Sequence, residues 1–262
     1  MIHIIVATDF EAKPLIQSFD LKKIFPSKSF DIFSNGNISL TVTGIGKINA
    51  ALGVAHTFFM FRKQYNNIWI NIGFAGSKSF KIGDLFLVNK IFDKDTKQTF
   101  FPTFVKKYNL KTADCTTFSS VDKKYENSLS DMELSSFFYS SNKYSTKELI
   151  HGIKIISDNK NESIDFNNKR MIKSVFEKNA GQIDCFLKEI KKIWQLFFKN
   201  EKEVEKKINN DLSRVKHTFY EGVQLKKFLK IFYYSKYSEK KILNYNESSK
   251  VNIKIIKDLL KI

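Results

Sequence analysis

The sequence predicts an α/β fold: a mixed, largely parallel sheet flanked by helices, followed by a helical C-terminal extension. Three observations carry that reading. Residues 2–7, 68–72 and 153–157 are short apolar runs that read as buried strands. Helical periodicity lies between them, most clearly over 47–62 and from Met132 to Tyr139. Beyond Asn200 the character changes, and basic, aromatic-containing helical segments take over.

The elements follow in order. Ile2-His3-Ile4-Ile5-Val6-Ala7 is the first strand, and Thr8-Asp9-Phe10 turns the chain into a helix at Glu11 with Pro14 near its first turn. Residues 30–43 read as two strands joined by Asn35-Gly36-Asn37, a hairpin signal. Gly44-Ile45-Gly46 opens the amphipathic helix over 47–62. The strand at 68–72 runs into Asn71-Ile72-Gly73-Phe74-Ala75-Gly76, and another strand, 84–92, is entered through Ile82-Gly83-Asp84. Residues 96–130 yield only short strands and a polar loop. A helix starts near Met132, and the strand at 153–157 ends at Asp158. Residues 167–198 are helical, as are 201–217, 222–235 and 251–262, with a polar loop over 236–250. The expected domains are 1–199 and a basic helical extension, 200–262.

Composition narrows the classes. At 262 residues the chain can bury a full core. No apolar run approaches a membrane span, the N-terminus lacks the basic start of a signal peptide, and a cytoplasmic location is expected. Cys115 and Cys185 are far apart and His3, His56, His151 and His217 are scattered, so neither disulfide, metal nor cofactor is expected. The formal charge of +17 invites a nucleic-acid reading. The cations are nearly all Lys, with only Arg62, Arg170 and Arg214, whereas readers of phosphates and base edges favour Arg. Solvated lysines are the preferred reading, and neither a nucleic-acid nor a membrane partner is expected. The interleaving of Lys226, Lys227 and Lys230 with Phe228, Phe232, Tyr233 and Tyr234 fits a single-strand binder. Leu225, Phe228, Leu229 and Phe232 also share one helical face, as core residues would.

Glycines beside Ile45 let a backbone approach a ligand at a helix N-terminus. With Asn49 at the third glycine position, Gly44-Ile45-Gly46 is no dinucleotide fingerprint, and a tight turn would look the same. Phe74, in the glycine-rich end of a strand, reads as a core ring or as one facing a base or ribose. Three carboxylates stand out: Glu11, Glu133 and Asp158. Singly, Glu11 and Glu133 read as first-turn acids favoured by the helix dipole, and Asp158 as a strand-ending turn residue. Together they match what cleavage of a glycosidic bond to a base needs. One group holds the sugar, one protonates the base and one aims a water.

The succession Glu11, Thr43-Gly44-Ile45-Gly46-Lys47, Asn71 to Gly76, Ile82-Gly83-Asp84, Met132-Glu133 and Ser157-Asp158 resembles the nucleoside phosphorylase and nucleosidase superfamily. Within it, the nearest likeness is to 5′-methylthioadenosine/S-adenosylhomocysteine nucleosidases, over residues 2–198. The resemblance implies that Glu133 binds the ribose hydroxyls and that Met132 packs beneath the sugar. It implies that Asp158 serves N7 of the base with Ser157 beside it, and that Glu11 orients the attacking water. Gly44 and Gly46 would line the nucleophile pocket. It also implies a nucleoside substrate, a homodimer and a place in methionine salvage. The family carries Ser where this chain has Phe74. Residues 116–126 match its base-binding loop softly, with Lys123, Lys124 and Tyr125 in place of an aromatic and an aliphatic residue. An acid at the base must carry a proton near neutrality, above the ~3.9 of a free Asp, and burial moves a carboxyl that way. A phosphorylase needs cationic phosphate donors, yet no Arg precedes Arg62. Hydrolysis of a 5′-modified adenosine is therefore expected. A phosphorylase, or a non-catalytic nucleoside-binding protein on the same fold, is the alternative.

Overall fold

In the computed structural model, which describes residues 1–24, 29–61, 65–121, 127–166, 168–235 and 243–260, the chain opens with β1 (Ile2–Val6), buried at every position. Helix α1 (Asp9–Ser18) begins two residues earlier than the sequence suggests, because Thr8 and Glu11 form a capping box. Strands β2 (Lys22–Lys23), β3 (Asp31–Ser34) and β4 (Ile38–Val42) follow. In the β3–β4 hairpin Asn35 Oδ1 accepts from the amides of Asn37 (3.0 Å) and Ile38 (2.9 Å). Next come α2 (Lys47–Met60), β5 (Ile68–Gly76) and β6 (Leu85–Asp93). The ambiguous stretch holds β7 (Thr99–Phe100), β8 (Lys111–Thr117) and β9 (Leu129–Asp131). Helix α3 (Leu134–Ser141) starts after Met132 and Glu133, which sit in the junction between strand and helix. Strand β10 (Ile150–Asp158) is followed by α4 (Lys169–Arg214), α5 (Phe219–Tyr233) and α6 (Ser249–Leu260). The separate helix expected over 201–217 is the later part of α4. No Gly or Pro occurs between Gly181 and Gly222 to break it. Arg62, the loop residues Lys123, Lys124 and Tyr125, and Asn167 lie outside the described residues.

The sheet is mixed. The pairings β1–β4, β1–β5, β5–β10, β6–β8 and β8–β9 are parallel. Those of β2–β3, β3–β4, β6–β7, β6–β10 and β5–β9 are antiparallel. Strand β5 belongs to two arrangements. Its first half lies between β1 and β10, while at its end Gly76 pairs with Ser130 of β9. Since β10 pairs with β6, β6 with β8 and β8 with β9, the strands β5, β10, β6, β8 and β9 close into a ring. Strands β1, β5 and β10 are buried at nearly every position, as strands covered on both faces must be. One cluster packs Ala50, Val54 and Phe58 of α2 and Leu134, Phe137 and Phe138 of α3 against Ile5, Trp69 and Ile156.

The chain divides into two units, Met1–Trp194 and Gln195–Ile262. The second has its own core, with Ile208, Val215, Leu225, Leu229, Phe232, Ile253 and Ile256, against which Phe228 packs half-buried. Thr218 and Glu221 form a second capping box at the start of α5. The hydroxyls of Tyr233 and Tyr245 both donate to the buried carboxylate of Asp211. Among the described residues no helix is long and apolar enough to cross a membrane.

Candidate active site

The carboxyl ends of β1, β5, β9 and β10 surround a cavity of about 320 Å³, where ligands of α/β sheets bind. Glu11, Met132, Glu133, Ser157, Asp158 and Phe74 all line it. Gly44 and Gly46 do not; of that loop only Ile45 does.

Glu11 is fixed by its own helix start. Its Oε2 accepts from the amides of Ala7 (2.9 Å) and Thr8 (2.8 Å) and from the Thr8 hydroxyl (3.0 Å), and its Oε1 accepts from the amide of Phe74 (2.9 Å). The same residue thus caps α1 and ties it to β5. Gly73 is the reason the carboxylate can come so close to the strand: a Cβ there would stand 2.9 Å from Oε1. Oε2 has three donors and Oε1 one, so Oε1 retains capacity for a further donor such as water.

Glu133 precedes α3, is 8 % exposed, and accepts from the amide of Gly46 at 2.7 Å. Gly46 has φ +105°, a conformation that glycine adopts without strain and that presents this amide. The glycine loop therefore supports the sugar-binding candidate rather than forming the wall itself. Burial pushes the Glu133 carboxyl up to about 7. The neighbouring Asp131 charge adds to that, Lys154 and the Gly46 amide oppose it, and Glu11 adds a further push.

Sequence reasoning missed Lys154. It stands in the middle of β10, 1 % exposed, and its ammonium lies 2.7 Å from Asp131 Oδ2. Burial alone would lower its pKa, but the Asp131 charge, with a smaller contribution from Glu133, outweighs that and holds the ammonium well above its usual range. Asp131 also accepts from the Thr117 hydroxyl (2.6 Å) and from the amides of Leu134 (2.8 Å) and Glu133 (3.3 Å), so it caps α3. The point where a Gly73 Cβ would stand is 3.7 Å from Lys154 Nζ, so the cation lies close behind Glu11 as well. The available signal was a lysine flanked by Ile153, Ile155 and Ile156, which has no path to solvent and must be paired.

Ser157 and Asp158 are consecutive in β10, and in a regular strand they would point to opposite faces. The register against β5 shifts between Ile156 and Asp158, a bulge that lets both reach the cavity. The Ser157 hydroxyl donates to Asp158 Oδ1. The amide of Ser77 donates to the Asp158 carbonyl at 2.9 Å, and that of Ile164 to the Ser157 carbonyl at 2.7 Å, closing the turn that brings Phe166 to the cavity. The Phe166 ring lies edge-on to Phe74 (5.5 Å) and near Phe10 (6.4 Å). Phe74 also meets Phe176 of α4 at 5.4 Å. It is thus both a packed ring and a cavity wall, part of an aromatic side that the sequence did not reveal. Among the described residues no group of His, Cys, Asp and Glu is placed to hold a metal ion.

No protein-family model and no curated protein matches the sequence. Solved structures do match. The apo structure of Arabidopsis thaliana 5′-methylthioadenosine nucleosidase aligns with TM-score 0.60 at 18 % identity, over 72 % of this chain and 95 % of that one. The chain has the nucleoside phosphorylase-type fold of the methylthioadenosine nucleosidases. The S-adenosylhomocysteine nucleosidase of Streptococcus pyogenes in complex with 5-methylthiotubericidin aligns with TM-score 0.57 at 19 % identity, over 72 % and 96 % of the two chains. A futalosine hydrolase mutant of Helicobacter pylori aligns with TM-score 0.53 at 17 % identity, over 72 % and 98 %. Glu11 at the start of α1, Glu133 ahead of α3 and Asp158 at the end of β10 all face the one cavity.

Proposed function

We propose that the chain is a nucleosidase that hydrolyses the N-glycosidic bond of a 5′-modified adenosine, with methylthioadenosine, S-adenosylhomocysteine and 5′-deoxyadenosine as candidates. The observation that carries this is the meeting of Glu11, Glu133 and Asp158 on one cavity with three different sets of partners. Ionised Glu133 accepts hydrogen bonds from the ribose hydroxyls, with Met132 beneath the sugar. Asp158, oriented by Ser157, gives its proton to a ring nitrogen of the base as the C–N bond breaks. Positive charge develops on the sugar, and water held at Glu11 Oε1 attacks the anomeric carbon while Glu11 takes its proton. The products are adenine and the free 5′-modified sugar, which fits methionine salvage.

Among the described residues no Lys or Arg lines the cavity, which supports hydrolysis over phosphorolysis. A homodimer fits the same reading: Ile45, at the cavity, and Ile48 and Leu52, one turn apart on α2, are exposed and would be covered by a second copy. Purified protein is incubated with a panel of nucleosides, with and without phosphate. Base release without phosphate is expected, falling by roughly two or more powers of ten in Asp158→Asn. Release that requires phosphate and yields a sugar 1-phosphate would overturn the hydrolytic reading, and near-normal turnover of Asp158→Asn would remove Asp158 as the acid. Light scattering of the purified chain tests the dimer, and a monomer would exclude it.

A further inference from the structure

The outward face of α5 is used by nothing described so far. The inner face of this helix, Gly222, Leu225, Leu229 and Phe232, is buried in the core of the second unit. At 100° per residue, Phe219, Tyr220, Val223, Lys226, Lys227 and Ile231 fall together on the opposite side, within about 140° of arc. All six are exposed, Phe219 to 89 %, Tyr220 to 70 % and Val223 to 55 %. Large apolar groups in that number on one face, rimmed by cations, mark an interaction surface.

We propose that this face binds an anionic lipid surface, its apolar side chains entering the headgroup region and its lysines lying against the lipid phosphates and carboxylates. Charge complementarity names the partner's sign: residues 195–262 hold 16 Lys and Arg against 8 Asp and Glu. Glu205, 3.9 Å from Lys226, offsets only a part of this. The shape and chemistry of the face name its class. Single-stranded nucleic acids are held in basic grooves on stacked aromatic rings. This face is the convex side of a helix, and Val223 and Ile231 offer nothing for a base to stack on. A bilayer interface accepts aliphatic and aromatic side chains alike and meets a convex helix without a groove. The helix lies on the membrane and does not span it, in line with the absence of a spanning helix among the described residues.

The test uses the full chain and needs no nucleoside, so it stands apart from the proposed activity. Co-sedimentation is measured with vesicles of phosphatidylcholine alone and of equal parts phosphatidylcholine and phosphatidylserine. Binding is expected only with phosphatidylserine, and it should weaken as salt is raised. Lys226→Gln/Lys227→Gln should weaken it by about fivefold per lysine. Phe219→Ser/Val223→Ser should abolish most of it with helix content unchanged by circular dichroism, since both side chains point outward. Three results would each overturn the proposal: no binding to the mixed vesicles, full binding by the Phe219/Val223 variant, or tight oligodeoxythymidine binding at physiological salt that the same variants lose. Concentration-dependent self-association abolished by Phe219→Ser/Val223→Ser would reassign the face to a second copy of the chain.

Discussion

Replacing Lys154 by Met leaves the volume of β10 nearly filled while removing the cation. Its partner Asp131 is then left buried without its counter-charge, since both side chains of the pair are essentially inaccessible to water. Deleting one member of such a pair costs about 3–5 kcal/mol. The Thr117 hydroxyl and the Leu134 amide still hold Asp131, so the lower end applies, about 3 kcal/mol. For a unit of this size that is a fall in melting temperature of roughly 6–12 °C. Both tryptophans, Trp69 and Trp194, belong to the first unit, and Trp69 lies in its buried core, so their fluorescence in a thermal or urea scan reports on that unit. Asp131→Asn added to Lys154→Met removes the unpaired ionisable group while keeping an acceptor for the Leu134 amide, and the double variant should recover much of the loss. A second consequence is functional. Lys154 holds the Glu133 carboxyl down against burial, so without it Glu133 rises above about 7 and fewer sites are ionised at neutral pH. The rising limb of kcat/KM against pH should move to higher pH. A stability loss below about 1 kcal/mol, or an unmoved pH profile, would refute the reasoning.

Other outcomes follow from the same geometry. Glu133 titrates at about 7 when folded against 4.5 as a free group, so its contribution is fully present below about 4.5 and is lost as pH rises through about 7. Glu133→Gln should flatten the fall in stability across that window, by on the order of 3 kcal/mol, and erase the rising limb of the activity profile. An unchanged slope in urea titrations at a series of pH values would contradict it. Gly73→Ala places a Cβ against Glu11 Oε1, so turnover should fall at least tenfold while substrate affinity and fold change little; wild-type turnover would show that Glu11 can move freely.

Much of this site is legible because its residues sit where chain punctuation is strong. Glu11 follows the first strand, Glu133 opens a helix, and Asp158 ends an apolar run; such boundaries can be seen in one dimension. The bulge at Ser157 cannot, because it depends on how β10 registers against β5. Lys154 is hidden in the sequence for a related reason. One charged residue in a short apolar run reads as a break in pattern until the strands on either side of β10 show that it has no exit. The capping box is legible in Thr8-x-x-Glu11, and the one acid serves both as the cap and as the candidate chemical group. The aromatic side of the cavity joins Phe10, Phe74 and Phe166 from three separate segments, which no local spacing could link.

The sharing of β5 between an open sheet and a closed ring sets a timetable for assembly. The pairing of β3 with β4 is local, and that of β1 with β4 closes only a moderate loop. Ring closure must wait until β9 and β10, synthesised much later, return to β5, and such distant pairings form slowly. Glu11 and Phe74 stand on the early part, whereas Glu133 and Asp158 arrive with the late one. The cavity therefore does not exist until the last strands dock. During refolding, helical signal should return first and ligand-binding capacity last, with an interval in which the chain is largely structured and has no site.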